Sequence, residues 1–93
     1  MALGQNFPVS EYYKDRVLDA ETISRAGGWW TAILLIRDPK TEKPFLGLYR
    51  WQLDGDTWKT RKSISLKSRK QVDAVLAVMT RMAPNLDETP EEY

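Results

Sequence analysis

The chain has 93 residues, of which 14 are basic and 13 acidic, so its formal net charge at pH 7 is +1. A chain of this length supports one domain, and domains this small are marginally stable alone, so oligomerisation is common among them. The chain contains no cysteine and no histidine. This composition excludes zinc sites built on those two residue types, nucleophiles activated by histidine, and histidine acid–base catalysis within one chain.

We therefore expect a protein that is not an enzyme and that uses no cofactor and no metal. The five glycines are scattered along the chain, so no phosphate-binding glycine-rich loop is present. No apolar run approaches the roughly 18 residues that span a bilayer, and the first ten residues lack the features of a signal peptide. The expected location is the cytoplasm, at the nucleoid if the source is prokaryotic.

Charge is divided unevenly along the chain. Residues 50–70 contain seven basic and two acidic side chains, whereas residues 85–93 contain four acidic side chains and no basic one. A basic segment followed by an acidic end indicates an anionic partner, although a solvated surface would have the same composition. The acidic end itself either competes for the basic surface, recruits a protein partner or merely keeps the chain in solution.

The first half of the chain predicts three strands after a lead-in of residues 1–13. Residues 14–24 contain mixed β-formers and predict the first strand, which ends before the turn signal Gly27-Gly28. The stretch WWTAILLIR, residues 29–37, predicts a strand buried on both faces. A charged loop, DPKTEKP, then leads to a third strand over residues 45–53.

The second half predicts a hairpin followed by a helix. Asp54-Gly55 is a strong hairpin signal, and residues 57–66 predict the fourth strand. Alternation would place Trp58, Thr60 and Lys62 on one face of that strand, and Lys59 and Arg61 on the other. The stretch Ser68 to Gln71 fits a capping box at the start of a helix that ends before Pro84. We therefore predict an α+β fold, with a four-stranded antiparallel curved sheet followed by one helix, as a single domain over residues 14–84 with an acidic flexible tail over residues 85–93.

The apolar stripe of the predicted helix is wider than one sheet face would cover. This indicates a second partner, and the simplest partner is another copy of the chain in a symmetric homodimer. The alternative is that the N-terminal residues cover the stripe. The expected dimer-interface residues are Val75, Leu76, Val78, Met79 and Met82.

The middle strands carry aromatic and basic side chains together. Lysine and arginine neutralise phosphates, and exposed aromatic rings stack on unpaired bases, so this combination suits single-stranded nucleic acid. Two readings stay open for Tyr49 and Trp51, which share a face with Phe45 and could form a core instead of a stacking surface. Of Trp29 and Trp30, alternation sends one to each face, so at most one is a strong candidate for stacking.

At the junction of strand and helix, the stretch RKSISL, residues 61–66, resembles the positive cofactor four family of single-stranded-DNA-binding transcriptional coactivators and their small bacterial, archaeal and phage relatives. Upstream, IRDPKTEKPFLGLYRW, residues 36–51, looks like the Arg-Asp, lysine-rich loop, apolar strand and tryptophan of that family. The resemblance implies four antiparallel strands and one helix, dimers formed through the helix and last strand, and curved sheets that grip unpaired DNA. By position it assigns DNA contacts to Arg37, Lys40, Lys43, Trp51, Arg61 and Lys62.

The expected function is non-catalytic binding of single-stranded DNA with little sequence preference, in transcription, replication or repair. The alternatives are a protein–protein interaction module and the binding of single-stranded RNA on the same surface. For Arg61 and Lys62 to touch one DNA backbone, a bulge or a dimer groove is required, since neighbouring side chains of a strand point apart. The side chains expected to contact DNA are Trp30, Arg37, Lys40, Lys43, Tyr49, Arg50, Trp51, Trp58, Lys59, Arg61 and Lys62.

Overall fold

The computed structural model, which describes residues 3–87, contains a four-stranded antiparallel sheet followed by a helix. The strands are β1 (Val17–Ala26), β2 (Trp29–Arg37), β3 (Pro44–Asp54) and β4 (Thr57–Leu66), and they lie in the sheet in the order β1-β2-β3-β4. A one-turn helix α1 (Glu11–Lys14) precedes them, and the long helix α2 (Arg69–Met82) follows them. Single 3-10 turns lie at Leu3–Asn6 and Ala83–Leu86. The predicted α+β class and element order are confirmed.

Turn chemistry explains most of the strand boundaries. Gly27 and Gly28 both have positive φ, 62° and 80°, as the two-residue hairpin between β1 and β2 requires. Gly55 has a φ of 65° in the turn between β3 and β4. Strands β2 and β4 have the predicted bounds, whereas β1 begins three residues later than predicted because α1 occupies residues 11–14.

The two faces of the sheet differ in what covers them. We call the first the core face, since it carries the fully buried side chains of β2 and β3. The described N-terminal segment, residues 4–14, packs on it through Phe7, Val9 and Tyr13. These residues therefore belong to the folded domain, although they are predicted only as a lead-in. The buried hydrophobic side chains are Val9, Val17, Trp30, Ala32, Leu34, Ile36, Phe45 and Trp51.

We call the opposite face the helix face, because α2 lies against its apolar half. Ile33, Leu48 and Leu66 line a narrow apolar cavity together with Val75 and Met79 of the helix. Strand β2 is only partly covered on this side, and Ile33 is 37% exposed, so the predicted burial of β2 on both faces holds for the core face alone. The N-terminal segment lies on the other side of the sheet and does not cover the helix.

Helix α2 begins as predicted. Ser68 Oγ accepts a hydrogen bond from the Gln71 backbone N–H at 3.1 Å, while Gln71 Oε1 accepts one from the Lys67 N–H at 3.0 Å. The reciprocal bond of a capping box thus reaches one residue further back than usual. None of the side chains of α2 is buried. The predicted acidic tail lies mostly outside the described residues.

Candidate nucleic-acid interface

A bulge in β4 decides which side chains share a face. Trp51 pairs with Thr60 and Arg50 pairs with Lys62, so Arg61 is the extra residue opposite a regular stretch of β3. Side chains before the bulge keep the predicted alternation, and those after it are exchanged between faces. Trp58 and Thr60 consequently lie on the core face, while Lys62 lies on the helix face. The predicted common face for Trp58 and Lys62 is wrong, and the cause is this bulge.

The same bulge gathers four basic side chains on the helix face. Lys59 pairs with Gln52 and Lys62 with Arg50, and directly paired residues point to the same side of a sheet. Arg61 Nε donates a hydrogen bond to Gln52 Oε1 at 2.9 Å, which draws its guanidinium to that side as well. All four are exposed. We call this set the basic patch: Arg50, Lys59, Arg61 and Lys62.

Electrostatics within the basic patch favour an anionic ligand. Arg50 and Lys62 are direct cross-strand partners, and like charges directly opposite each other destabilise a sheet. A phosphate between them would turn the repulsion into attraction. The nearest acidic partner is Asp54, whose carboxylate lies 3.8 Å from Lys59 Nζ with both side chains more than half exposed. Such an exposed pair contributes little, so the patch stays strongly positive.

Trp29 supplies an aromatic ring beside the basic patch. Its partner in β3 is Gln52, so it lies on the helix face, and it is half-buried. The guanidinium of Arg50 lies over the ring, with Cζ 4.2 Å from the ring centroid. The sequence analysis selected Trp30 rather than Trp29. The pairing of Trp29 with Gln52 would have identified Trp29, but that pairing depends on the register between β2 and β3, which the sequence alone does not give.

Three predicted aromatic contacts lie in or against the core instead. Trp51 is 0% exposed and Trp30 5% exposed, and Phe7 packs against both with ring centroids 6.2 and 5.3 Å away. Tyr49 is half-buried and stacks on Trp51 with ring centroids 5.4 Å apart and an angle of 4° between the planes. Burial raises the pKa of the Tyr49 hydroxyl above its ordinary value, and nearby Tyr13 adds to the shift. Their ring faces are therefore occupied by protein.

The predicted basic residues of the loop between β2 and β3 lie at the other end of the sheet. Arg37 Nη1 donates a hydrogen bond to the Glu42 carbonyl oxygen at 2.8 Å, which folds this arginine back on its own loop. Lys40 and Lys43 are exposed there. Arg50 lies six positions after Pro44 in β3, or about 20 Å further along the strand. The structure therefore does not bring the loop residues together with the basic patch.

The predicted dimer-interface residues form an apolar stripe on α2. Leu76 is 57% exposed, Met79 55%, and Val78 and Met82 are also exposed, while Val75 is half-buried against the sheet. Ile64, on the same face of the sheet as α2, is 54% exposed. A stripe of this kind on a small domain is typical of a surface that another protein covers.

Within residues 3–87 no group of three or more acidic side chains is arranged to hold a metal ion. None of the helices that the structure describes is long and apolar enough to cross a membrane. Comparison of the chain with protein-family models, with curated proteins and with solved structures finds no match.

Proposed function

We propose that this chain is a non-catalytic protein that binds single-stranded DNA through the basic patch and Trp29, with little sequence preference. The observation that carries the proposal is the juxtaposition of four exposed cations with a half-buried tryptophan on one face of the sheet. The cations neutralise phosphates, and the indole ring receives an unpaired base once Arg50 turns from the ring towards the backbone. Base stacking does not distinguish the four bases, so the expected sequence preference is low.

The choice of unpaired over duplex DNA follows from the shape of the site. A duplex keeps the faces of its bases inside the stack, so Trp29 could not reach them, whereas the bases of an unpaired strand are free to stack on its ring. The resemblance of residues 36–51 and 61–66 to the positive cofactor four family supports the same conclusion. It extends the proposal to a role in transcription, replication or repair.

Fluorescence titration with an oligo-thymidine strand tests the proposal. Binding should quench tryptophan emission at low salt, and the logarithm of the affinity should fall with the logarithm of the salt concentration by about 0.7 per phosphate neutralised. A titration at low salt that shows neither quenching nor a change in anisotropy of a labelled strand would contradict it. A matched oligo-uridine strand as competitor distinguishes DNA from RNA, the second ligand that stacking alone would admit.

We propose in addition that two copies pair through the exposed stripe of α2 and the neighbouring apolar part of the helix face. The support is the exposure of Leu76, Met79 and Ile64, which a second copy would bury. A protein-interaction module is the second candidate function, because the same stripe would suit a different protein. A chain that stays monomeric at high concentration and still binds no DNA would favour that candidate.

A further inference from the structure

The first two residues of β2 are tryptophans on opposite faces of the sheet, and an arginine guanidinium lies over the ring of each. Trp29 lies on the helix face under Arg50, at 4.2 Å from ring centroid to Cζ. Trp30 pairs with Arg25 and lies on the core face, where Arg25 covers its ring at 4.0 Å. The proposed DNA site uses only the first of these two arrangements.

The Arg25 guanidinium has no polar partner within residues 3–87. Neither a hydrogen bond nor an ion pair engages it there, whereas Arg16 is bound to Glu42 and Arg61 to Gln52. The side chain is exposed. An arginine that lies on indole rings with all its donors unused presents a flat fork of N–H groups, which matches the geometry of a phosphate or a carboxylate.

Trp58 completes the arrangement on the core face. It is half-buried, it lies 5.3 Å from the Arg25 guanidinium, and it meets Trp30 edge-on at 5.4 Å with an angle of 73°. Trp30 is itself held in place, since its Nε1–H donates a hydrogen bond to Thr22 Oγ1 at 3.1 Å. Leu53, the cross-strand partner of Trp58, is 43% exposed, so apolar surface beside the ring remains open.

The edge of the sheet joins the two sites. Strand β4 is an edge strand, and its consecutive residues Trp58 and Lys59 point to the core face and the helix face respectively. A DNA strand on the basic patch that crosses β4 at this position arrives at Trp58 and then at Arg25. No other strand of the described sheet lies in that path.

We infer that bound single-stranded DNA wraps around the β4 edge and makes a second contact on the core face, with an unpaired base on Trp58 and a phosphate on Arg25. The inference rests on the proposed function and adds to it a second DNA contact on the core face. Because the second contact lies further along the strand, it is made only by strands long enough to span both faces.

The test measures affinity for oligo-thymidines of about 4 to about 16 nucleotides, the range of site sizes in small single-strand-binding folds. The full chain is compared with Arg25→Gln and with Arg81→Gln, a control that removes the same charge from an exposed position on α2. For the longest strands, Arg25→Gln should bind several-fold more weakly, and its slope of log affinity against log salt should be shallower by about 0.7. For the shortest strands it should match the unmodified chain.

Two outcomes would overturn the inference while the proposed function stands. In the first, the unmodified chain binds, but Arg25→Gln has the same affinity as Arg81→Gln for strands of every length. In the second, Arg25→Gln loses affinity by the same factor for strands of every length. Arg25→Lys separates charge from packing, because it keeps the charge and should keep the salt slope. A loss in Arg25→Lys as large as in Arg25→Gln, with both slopes unchanged, would assign Arg25 a structural role only. Absence of binding by the unmodified chain would overturn the proposed function and this inference together.

Discussion

At the scale of single residues, the neighbours Trp29 and Trp30 have opposite roles. Adjacent side chains of a strand point to opposite faces, so Trp30 enters the core with 5% of its surface exposed, while Trp29 stays half-buried beside the basic patch. Trp30 thus holds the domain together on one side, and Trp29 offers its ring to a base on the other in the proposed function. Alanine substitution separates the two roles.

Trp29→Ala should weaken binding of a long oligo-thymidine by about 1–3 kcal/mol, the contribution of one stacked base. Trp30→Ala should instead lower the free energy of unfolding by about 3–5 kcal/mol, as expected for removal of a large core side chain. Chemical denaturation and oligonucleotide titration of both variants measure the two effects. A Trp29→Ala variant that binds like the unmodified chain would contradict the role of Trp29.

Tyr49 gives the fold a dependence on alkaline pH. Burial raises its pKa in the folded state above the value of about 10 that tyrosine has in an unfolded chain. The folded state therefore favours the neutral phenol, and this contribution to stability is complete below pH 10 and is lost as the pH rises through the folded-state pKa.

Tyr49→Phe removes the ionisable hydroxyl, so we expect its free energy of unfolding to fall less than that of the unmodified chain above about pH 10. Tyr12→Phe is the matched control, because Tyr12 is 56% exposed. Denaturation curves at neutral and alkaline pH measure the difference. Equal alkaline losses in the Tyr49→Phe variant and the unmodified chain would show that Tyr49 is not responsible.

At the scale of elements, the bulge at Arg61 creates the basic patch at a cost to the sheet. It places Lys62 directly opposite Arg50, where two positive charges repel each other. A strand selected for stability alone would place opposite charges at these positions. The repulsion is consistent with selection for binding an anion.

Lys62→Glu should therefore raise the free energy of unfolding by about 0.2–1 kcal/mol through a cross-strand ion pair with Arg50, and it should weaken DNA binding strongly. Lys70→Glu, an equal charge change on the first turn of α2, should weaken DNA binding far less at physiological salt, because exposed charges separated by more than the Debye length of about 8 Å are largely screened. Denaturation and titration of both variants provide the comparison. Equal losses of affinity would show that net charge rather than the basic patch controls binding.

The four strands and α2 could be predicted from the sequence because each has a local signal. The glycine turns and Ser68 mark ends, and the change from alternating to helical periodicity marks the start of α2. The bulge has no such signal, since it results from the pairing of β4 with β3, and it moved Lys62 to the face opposite Trp58. The N-terminal segment has no periodic pattern either, so Phe7 and Val9 became visible as core residues only in the folded chain.

At the scale of the whole molecule, the two sides of the sheet have separate tasks. The N-terminal segment packs on the core face but leaves Arg25 exposed and Trp58 half-buried there, while the helix face exposes the basic patch at one end and an apolar region beside α2 at the other. A small domain that leaves this much apolar surface open gains stability when another protein covers it. The proposed dimer would supply that cover and place two basic patches in one assembly.

Leu76→Lys should convert the proposed dimer to a monomer, because a charge would be buried in its interface. Ala77→Lys, at an exposed position of α2 whose neighbours one turn away are Asp73 and Arg81, is the control and should stay dimeric. Light scattering should give twice the chain mass of 10.8 kDa for the control and once that mass for Leu76→Lys. An unmodified chain that is monomeric at high concentration would contradict the dimer.

The most direct test of the central claim is a titration of isotope-labelled protein with oligo-thymidine, followed by nuclear magnetic resonance. The four tryptophans give separate indole N–H signals that report on both faces at once. We predict large shifts for the Trp29 indole and for the backbone amides of Arg50 and Lys62, and little change for the Trp51 indole in the core. Unchanged spectra at low salt, or shifts confined to α2, would contradict the claim that the basic patch and Trp29 bind single-stranded DNA.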